Sequence, residues 1–227
     1  MIIVCTHESP DILEQCLSSI RKYSKEDHKI LCVETSQSQV SKPIAEKYGA
    51  ILENTDLKYE IGAYNYGTNA YPDEPEYFMF QDSIEIVAED WEHIVRVPSE
   101  GEKMVAQSAY PLSQDPCPGC GADVFSQLFG KPWPVREAFG VNNNSFYVPA
   151  NAMKKMKEFG IGKLKAECKN DTFATERVLG AVAHYACGFD HSATLLKEDW
   201  AIKEIIAPSS SLTFELIFLA TNSMTSS

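Results

Sequence analysis

The chain has 227 residues, of which 44% are hydrophobic and 23% charged, and these proportions exclude disordered and collagen-like chains. Its formal net charge of −12 argues against a protein that binds nucleic acid or anionic lipid through its whole electrostatic field. A small ligand that carries phosphates is compatible with this charge, because one metal ion reverses the local potential. No apolar run approaches the ~20 residues that a membrane-crossing helix needs.

The seven cysteines bear on the redox compartment. Four of them lie within apolar patterns, where a thiol behaves as a small hydrophobic side chain: Cys5, Cys16, Cys32 and Cys187. Because the total is odd and these four have the pattern of core residues, we predict a reducing compartment with no disulfide framework. Residues 1–7 lack a basic leader and a long apolar stretch, so we expect no signal peptide and a cytoplasmic protein.

The first 90 residues or so alternate short apolar runs of β type with helical runs. A helix is predicted to begin at Pro10, with Ser9 as its candidate N-cap, and apolar side chains recur at helical spacing as far as Ile20. The other predicted elements are strands over 2–5, 30–33, 50–52 and 77–80 and helices over 44–48 and 61–70. This alternating order predicts a mostly parallel sheet with right-handed crossovers, flanked by helices.

The second half of the chain is less regular. Its predicted elements are a strand over 145–148, a helix over 151–159 that ends at Gly160, a helix over 172–187 closed by Gly188, an apolar segment over 212–219 that packs back on the core, and a frayed end over 223–227. Residues 111–134 are rich in Pro, Gly and Ser, which predicts a long loop. A loop of that length within a compact domain is usually functional or mobile.

Cys117 and Cys120 lie in that loop with the C-x-x-C spacing of a metal site. A structural zinc ion needs four ligands, and the chain has no second pair with this spacing. The histidines at positions 93, 184 and 191 are distant in the sequence. We therefore interpret the two cysteines as free thiols in a loop, with a zinc site as the alternative.

Polar residues directly follow three of the predicted strands. These residues are Thr6, His7 and Glu8 after the first strand, Glu34, Thr35 and Ser36 after the second, and Gln81, Asp82 and Ser83 after the fourth. In an open parallel sheet, ligands bind beyond the carboxyl ends of the strands. The three segments together predict a site for a polar ligand that carries phosphates.

Four motifs then follow one another in a recognisable order. They are an apolar strand with a Thr-containing loop (2–10), a second strand that ends in an acid and small polar residues (32–36), a segment of the Asn-x-Gly-x-Ala-x-Asn-x-Gly type (60–69), and a strand that ends near an Asp (77–85). Together they resemble the GT-A fold glycosyltransferases, especially the inverting enzymes that use nucleotide-diphosphate sugars. The run Gln81-Asp82-Ser83 looks most like the rhamnosyltransferase-like members.

The resemblance implies a GT-A fold, which is Rossmann-like, with a donor site at the strand ends. Asp82 takes the place of the acid that holds Mn²⁺ or Mg²⁺, while Phe80 stands where the family has a first acid. Glu34 is expected to read the nucleotide base. The other residues expected to line the nucleotide-sugar site are Thr6, His7, Glu8, Gly62, Asn65 and Gln81.

An inverting transfer needs a base that takes the proton of the acceptor hydroxyl. In the family this acid lies near the start of a late helix. Counting back from Gly188, the same position here is Glu176, which is therefore the expected base. Asp171 is the reserve candidate, and helix capping is its alternative role.

The resemblance implies one domain over 1–222, with a nucleotide-sugar half over 1–95 and an acceptor-side half over 96–222. The expected reaction is metal-dependent and inverting, and it moves a sugar from a nucleotide-diphosphate donor, most commonly a uridine one, to a saccharide acceptor. We expect no nucleic-acid partner and no transmembrane segment. Two alternatives stay open, a module that binds a nucleotide sugar or glycan without turnover, and a nucleotidyltransferase. The latter favours a Gly-rich basic phosphate loop, which residues 6–10 lack.

Overall fold

The computed structural model describes residues 1–117, 119–142, 145–193 and 202–204, so the predicted elements over 212–219 and 223–227 lie outside it. The strands are β1 (Ile2–Thr6), β2 (Ile30–Glu34), β3 (Ile51–Asn54), β4 (Glu76–Gln81), β5 (Ile84–Ile86), β6 (Val105–Ala106), β7 (Ala109–Pro111), β8 (Phe139–Val141), β9 (Ser145–Pro149) and β10 (Ile202–Glu204). The helices are α1 (Pro10–Tyr23), α2 (Lys42–Lys47), α3 (Tyr59–Ala70), α4 (Trp91–Arg96), α5 (Ala122–Phe129), α6 (Ala150–Phe159) and α7 (Lys169–Cys187). Within these residues, no helix has the length and apolar character needed to cross a membrane.

A six-stranded sheet in the order β3-β2-β1-β4-β9-β6 forms the centre of the fold. Strands β1 to β4 are parallel, and β9 runs antiparallel to both of its neighbours. Two small antiparallel pairs, β5 with β10 and β7 with β8, lie outside this sheet. The prediction of an α/β fold with a mostly parallel sheet flanked by helices is confirmed.

The core is centred on β1 and β2, which are buried along their whole length, as expected for strands covered on both faces. The buried apolar face of α1 consists of Leu13, Cys16, Leu17 and Ile20. Helix α3 lies directly against β1, since a Cβ atom on Gly67 would come within 2.7 Å of the Cδ1 atom of Ile3. Glycine at this position therefore permits the close packing of helix on strand.

The two late helices end where the sequence predicts. Gly160 and Gly188 are the C-caps of α6 and α7, and their φ angles of 110° and 69° lie in the left-handed region that glycine adopts readily. Helix α7 begins at Lys169, earlier than the predicted position 172, because Cys168 and Asp171 form a capping box at its start.

The prediction of one long loop over 111–134 is wrong. The segment contains a 3-10 turn over Leu112–Gln114 and the helix α5, whose Phe125 is fully buried. The glycines that suggested a loop lie instead at the two ends of this helix. Gly121 is its N-cap and Gly130 its C-cap, with φ angles of 91° and 62°.

The prediction of free thiols without a disulfide is wrong at one place, because Cys117 and Cys120 form a disulfide bond. Their Cα atoms lie 5.3 Å apart, within the range that a disulfide spans. The bond also argues against the zinc alternative, since zinc binds thiolates. The remaining cysteines are free, and four of the five are buried: Cys5, Cys16, Cys32 and Cys187.

Candidate active site

The candidate site lies where β1 and β4 end side by side. Strands β2 and β3 lie on one side of β1, and the chain then crosses to the other side to form β4. This reversal is the topological switch point at which open α/β sheets bind ligands. In the strand register, Thr6 lies opposite Glu34 and Cys5 lies opposite Gln81. All three predicted polar segments therefore begin at the carboxyl ends of these strands.

Asp82 is tied to the end of β1 by its backbone and by its side chain. Its N–H donates to the carbonyl of Cys5 (2.9 Å), and the Thr6 hydroxyl donates to its Oδ2 atom (2.7 Å). The pKa of Asp82 is raised to about 6, chiefly by burial and also by the charges of Glu34 and Glu60, while hydrogen bonds from Thr6 and from the His7 backbone act to lower it. Asp82 is therefore a partly buried acid whose charged form is disfavoured by its surroundings.

Glu34 is fully buried and holds the loop after β1. Its two carboxylate oxygens accept the N–H of Glu8 at 3.2 and 3.1 Å, and they also accept the hydroxyls of Ser36 (3.0 Å) and Ser41 (3.2 Å). Glu8 itself has a φ of 53°, which costs energy for a residue with a side chain. The sequence-based expectation that Glu34 reads a base does not fit this arrangement, because its carboxylate is turned inward.

His7 lies directly after β1, with its side chain 67% exposed. Its Nδ1 atom is 3.0 Å from the hydroxyl of Thr35, which links the loops after β1 and β2. Ser9, the predicted N-cap of α1, makes no side-chain cap, and its hydroxyl donates to the carbonyl of His7 (2.8 Å) instead. The loop after β1 is thus fixed by bonds at several points.

Glu60 is an acid near the carboxyl end of β4 that was not among the predicted site residues. It lies in the first turn of α3, and its Oε1 atom accepts the side-chain amide of Gln81 at 2.7 Å. Burial raises its pKa, and its charge acts on Asp82. The one available signal was its place at the head of the glycine- and asparagine-containing motif over 60–69.

Gly62 and Asn65 make packing contacts on α3. A Cβ atom on Gly62 would come within 2.8 Å of the Leu57 carbonyl carbon, and the Asn65 amide donates to the carbonyl of Leu164 (3.1 Å). Both residues line a cavity of about 100 Å³ between α3 and residues 162–167. These contacts account for their residue types without a ligand.

The two candidate bases have different surroundings on α7. The carboxylate of Asp171 accepts the N–H groups of Glu167 (2.8 Å) and Cys168 (3.0 Å), and these bonds lower its pKa. Its capping role, the alternative expected from the sequence, is therefore the one that its contacts match. Glu176 is half-buried, and its charge acts on Tyr110, whose pKa is raised chiefly by burial.

A second group of acids lies at the opposite end of the sheet, just before β2 and at the start of β4. Ligand atoms of Glu26, His28 and Glu76 come within 4.8 Å of one another. The guanidinium of Arg96 pairs with both of these glutamates, and His28 bonds to Glu92 at 3.2 Å. Because Arg96 already supplies the positive charge, this group does not favour a metal ion.

No protein-family model matches the sequence, and no curated protein sequence matches it significantly. Solved structures do match. The galactosyltransferase LgtC in complex with donor and acceptor sugar analogues has a TM-score of 0.52 and 9% identity, over 91% of this chain and 87% of that one. Mouse xyloside xylosyltransferase 1 has a TM-score of 0.50 and 10% identity, over 84% and 83%. This chain has the GT-A fold of glycosyltransferases.

A third match, the WbbM bifunctional glycosyltransferase, has a TM-score of 0.51 and 11% identity, and covers 83% of this chain but 38% of that one. At such low identity the likeness concerns the GT-A fold alone. Open α/β sheets generally bind ligands beyond the carboxyl ends of their strands, and Thr6 and Asp82 lie at the carboxyl ends of β1 and β4.

Proposed function

We propose that the chain is a glycosyltransferase that moves a sugar, with inversion, from a uridine-diphosphate sugar to a saccharide acceptor. The observation that carries this proposal is the position of Asp82 beside Thr6 at the switch point of a GT-A sheet. In this proposal the carboxylate of Asp82 would act on the donor phosphates through a metal ion.

The side chains around Asp82 fit a hard divalent cation such as Mn²⁺ or Mg²⁺. These ions prefer oxygen ligands, and the candidate site has the carboxylate of Asp82, with that of Glu60 close enough for its charge to act on Asp82. Burial among like charges raises the pKa of Asp82, and a cation would offset that cost. A bound ion would supply positive charge that stabilises the departing nucleoside diphosphate. Asp82 would hold it, and Glu60 would supply the negative charge that Phe80 cannot.

The neighbouring residues position this acid and border the donor. Thr6 orients the Asp82 carboxylate, and Gln81 holds Glu60. Glu34 fixes the loop that carries His7 and Glu8, so that the exposed His7 ring forms one wall of the donor pocket. In this proposal Glu34 positions the loop and does not contact the base.

Glu176 is the proposed general base. It would take the proton of the acceptor hydroxyl as that oxygen attacks the anomeric carbon, which is the step that inverts the configuration. Its half-buried position on α7, next to Tyr110, suits a carboxylate that works in a cleft. Asp171 has its carboxylate bound to two backbone N–H groups and is not needed for this role.

The test compares Glu176→Gln with Asp171→Asn in a transfer assay over a panel of uridine-diphosphate sugars and glycan acceptors with Mn²⁺. Removal of a general base typically lowers the rate by about 10²–10⁴. We expect that loss for Glu176→Gln, with uridine diphosphate affinity unchanged, and a small effect for Asp171→Asn, since Asn also caps helices. The reverse ranking, or two active variants, would refute the assignment of Glu176.

A further inference from the structure

The disulfide between Cys117 and Cys120 lies in the turn that precedes α5. Cys117 is exposed and Cys120 is half-buried. The N–H of Cys120 donates to the carbonyl of Cys117 (2.9 Å), and the N–H of Ala122 donates to the carbonyl of Gly119 (3.0 Å), so the bonded pair closes a compact turn. The bond is thus accessible to a reagent in solution at its Cys117 end.

This turn is fastened to α7 at both of its ends. At one end, the Oδ1 atom of Asp115 accepts both the N–H of Cys117 (2.7 Å) and the guanidinium of Arg177 (2.8 Å). The side chains of Asp115 and Arg177 are only 1% and 11% exposed. At the other end, a Cβ atom on Gly121 would come within 2.9 Å of the Cγ2 atom of Val178. The state of the bond therefore bears directly on the packing of α7.

The other cysteines differ from this pair. Four are buried free thiols, and Cys168 is an exposed free thiol at the start of α7. The pair spans only two intervening residues, and a disulfide that closes so short a loop restricts the unfolded chain much less than one that closes a long loop. Its loss would leave the fold intact, because the core beneath it is built from other residues.

We propose that Cys117 and Cys120 form a reversible thiol–disulfide exchange site that responds to dithiol reductants, and that its state controls how tightly Asp115 and Gly121 lie against α7. A thiolate of the reductant attacks the exposed Cys117 sulfur, and Cys120 leaves as a thiolate that takes up a proton. The second thiolate of the reductant then attacks the reductant sulfur that is bonded to Cys117. This step closes the reductant's own disulfide and releases Cys117 as a thiolate, which is protonated in turn. Two electrons and two protons pass to the protein, and the reductant is oxidised.

Reduction should loosen the turn, because two unbonded sulfur atoms cannot stay at bonding distance. The first contact affected is the N–H of Cys117 on Asp115, and through Asp115 the ion pair with Arg177. Glu176 is the residue next to Arg177, so the exchange site lies against the stretch of α7 that carries it.

The test counts the thiols that react with iodoacetamide in the native protein, by intact mass and peptide mapping. After mild oxidation we expect one reactive thiol, Cys168, and after treatment with excess dithiothreitol without denaturant we expect three, the new ones being Cys117 and Cys120. Limited proteolysis within residues 111–121 should become several-fold faster on reduction, while circular dichroism stays unchanged.

The double variant Cys117→Ser/Cys120→Ser is the matched control. Its thiol count and its cleavage rate should be the same with and without the reductant. Three reactive thiols in the oxidised sample would overturn the proposal, because the bond would then not form. So would a count that stays at one until denaturant is added, because the bond would then be structural. Equal cleavage in both redox states would refute the effect on the packing against α7.

Discussion

Two neighbouring acids at the end of the sheet have different surroundings. Glu34 accepts hydrogen bonds from one backbone N–H and two serine hydroxyls, so its burial is compensated. Asp82 accepts from Thr6, lies near Glu34 and Glu60, and has its pKa raised to about 6. The first acid stabilises the loop, whereas the charge of the second is only partly compensated by its hydrogen bonds from Thr6 and the His7 backbone.

The raised pKa of Asp82 makes a prediction about stability in the absence of metal. Between its ordinary pKa of 3.8 and about 6, the folded state holds the proton more tightly than the unfolded state, so the free energy of unfolding falls as pH rises through this window. At pH 7.5 with chelator, Asp82→Asn should therefore be more stable than the parent protein by about 1–3 kcal/mol.

Urea denaturation at pH 7.5 and at pH 4 measures this difference. The gain should shrink toward zero at pH 4, where Asp82 is close to half-protonated even in the unfolded chain. A variant that is less stable than the parent protein at pH 7.5 would show that the Asp82 charge has a stabilising partner. It would contradict the claim that burial and neighbouring acids disfavour the charged form of Asp82.

The structural role of Glu34 leads to the opposite expectation. Glu34→Gln places an amide donor against groups that themselves donate, so the free energy of unfolding should fall by about 1–3 kcal/mol. Glu46→Gln removes an exposed acid on α2 and serves as the control, with an expected change below about 0.5 kcal/mol. Equal stabilities for the two variants would mean that Glu34 does not hold the loop.

At the scale of elements, the contact between α7 and β8 orders the second half of the molecule. A Cβ atom on Gly180 would lie 1.8 Å from the carbonyl oxygen of Phe139, so any side chain there would push the helix away from the strand. Gly180→Ala should lower the free energy of unfolding by about 1–3 kcal/mol. Gly162→Ala is the matched control, since a Cβ atom there meets open space. Thermal unfolding of both variants checks this, and equal melting temperatures would contradict the packing described.

The sequence predicted the elements of the parallel half well because the buried strands β1, β2 and β4 contain continuous apolar runs and α1 has a clear apolar period. It failed over 111–134 because the glycines that cap the two ends of α5 cannot be distinguished from loop glycines by composition. The strands β5 to β8 have two or three residues each, too few for a period to be detected.

The site was predictable to the same uneven degree. Thr6 and Asp82 follow from the rule that ligand sites lie at strand ends, and the structure places them in contact. Glu60 was missed because its approach to Gln81 depends on how α3 is rotated about its axis, which the local sequence does not determine. The inward turn of Glu34 depends on Ser41 and the N–H of Glu8, which come from separate loops.

At the scale of the whole molecule, electrostatics constrains how the proposed donor binds. The chain carries a net charge of −12, and the charges of Glu34 and Glu60 already act on Asp82 in the candidate site. A nucleoside diphosphate is itself an anion, so like charges would oppose its binding in the absence of a cation. We therefore expect uridine diphosphate to bind weakly with chelator present and much more tightly with Mn²⁺.

The most direct test is isothermal titration calorimetry of uridine diphosphate, with Mn²⁺ and with chelator, on the parent protein, Asp82→Asn and the control Glu85→Gln. Glu85 is an exposed acid on β5, close to Asp82 in sequence but facing solvent. We expect Mn²⁺-dependent binding to the parent protein and to Glu85→Gln, and loss of that binding in Asp82→Asn, which still folds. Mn²⁺-dependent binding of equal affinity in all three proteins would contradict the assignment of Asp82 as the acid that holds the metal ion.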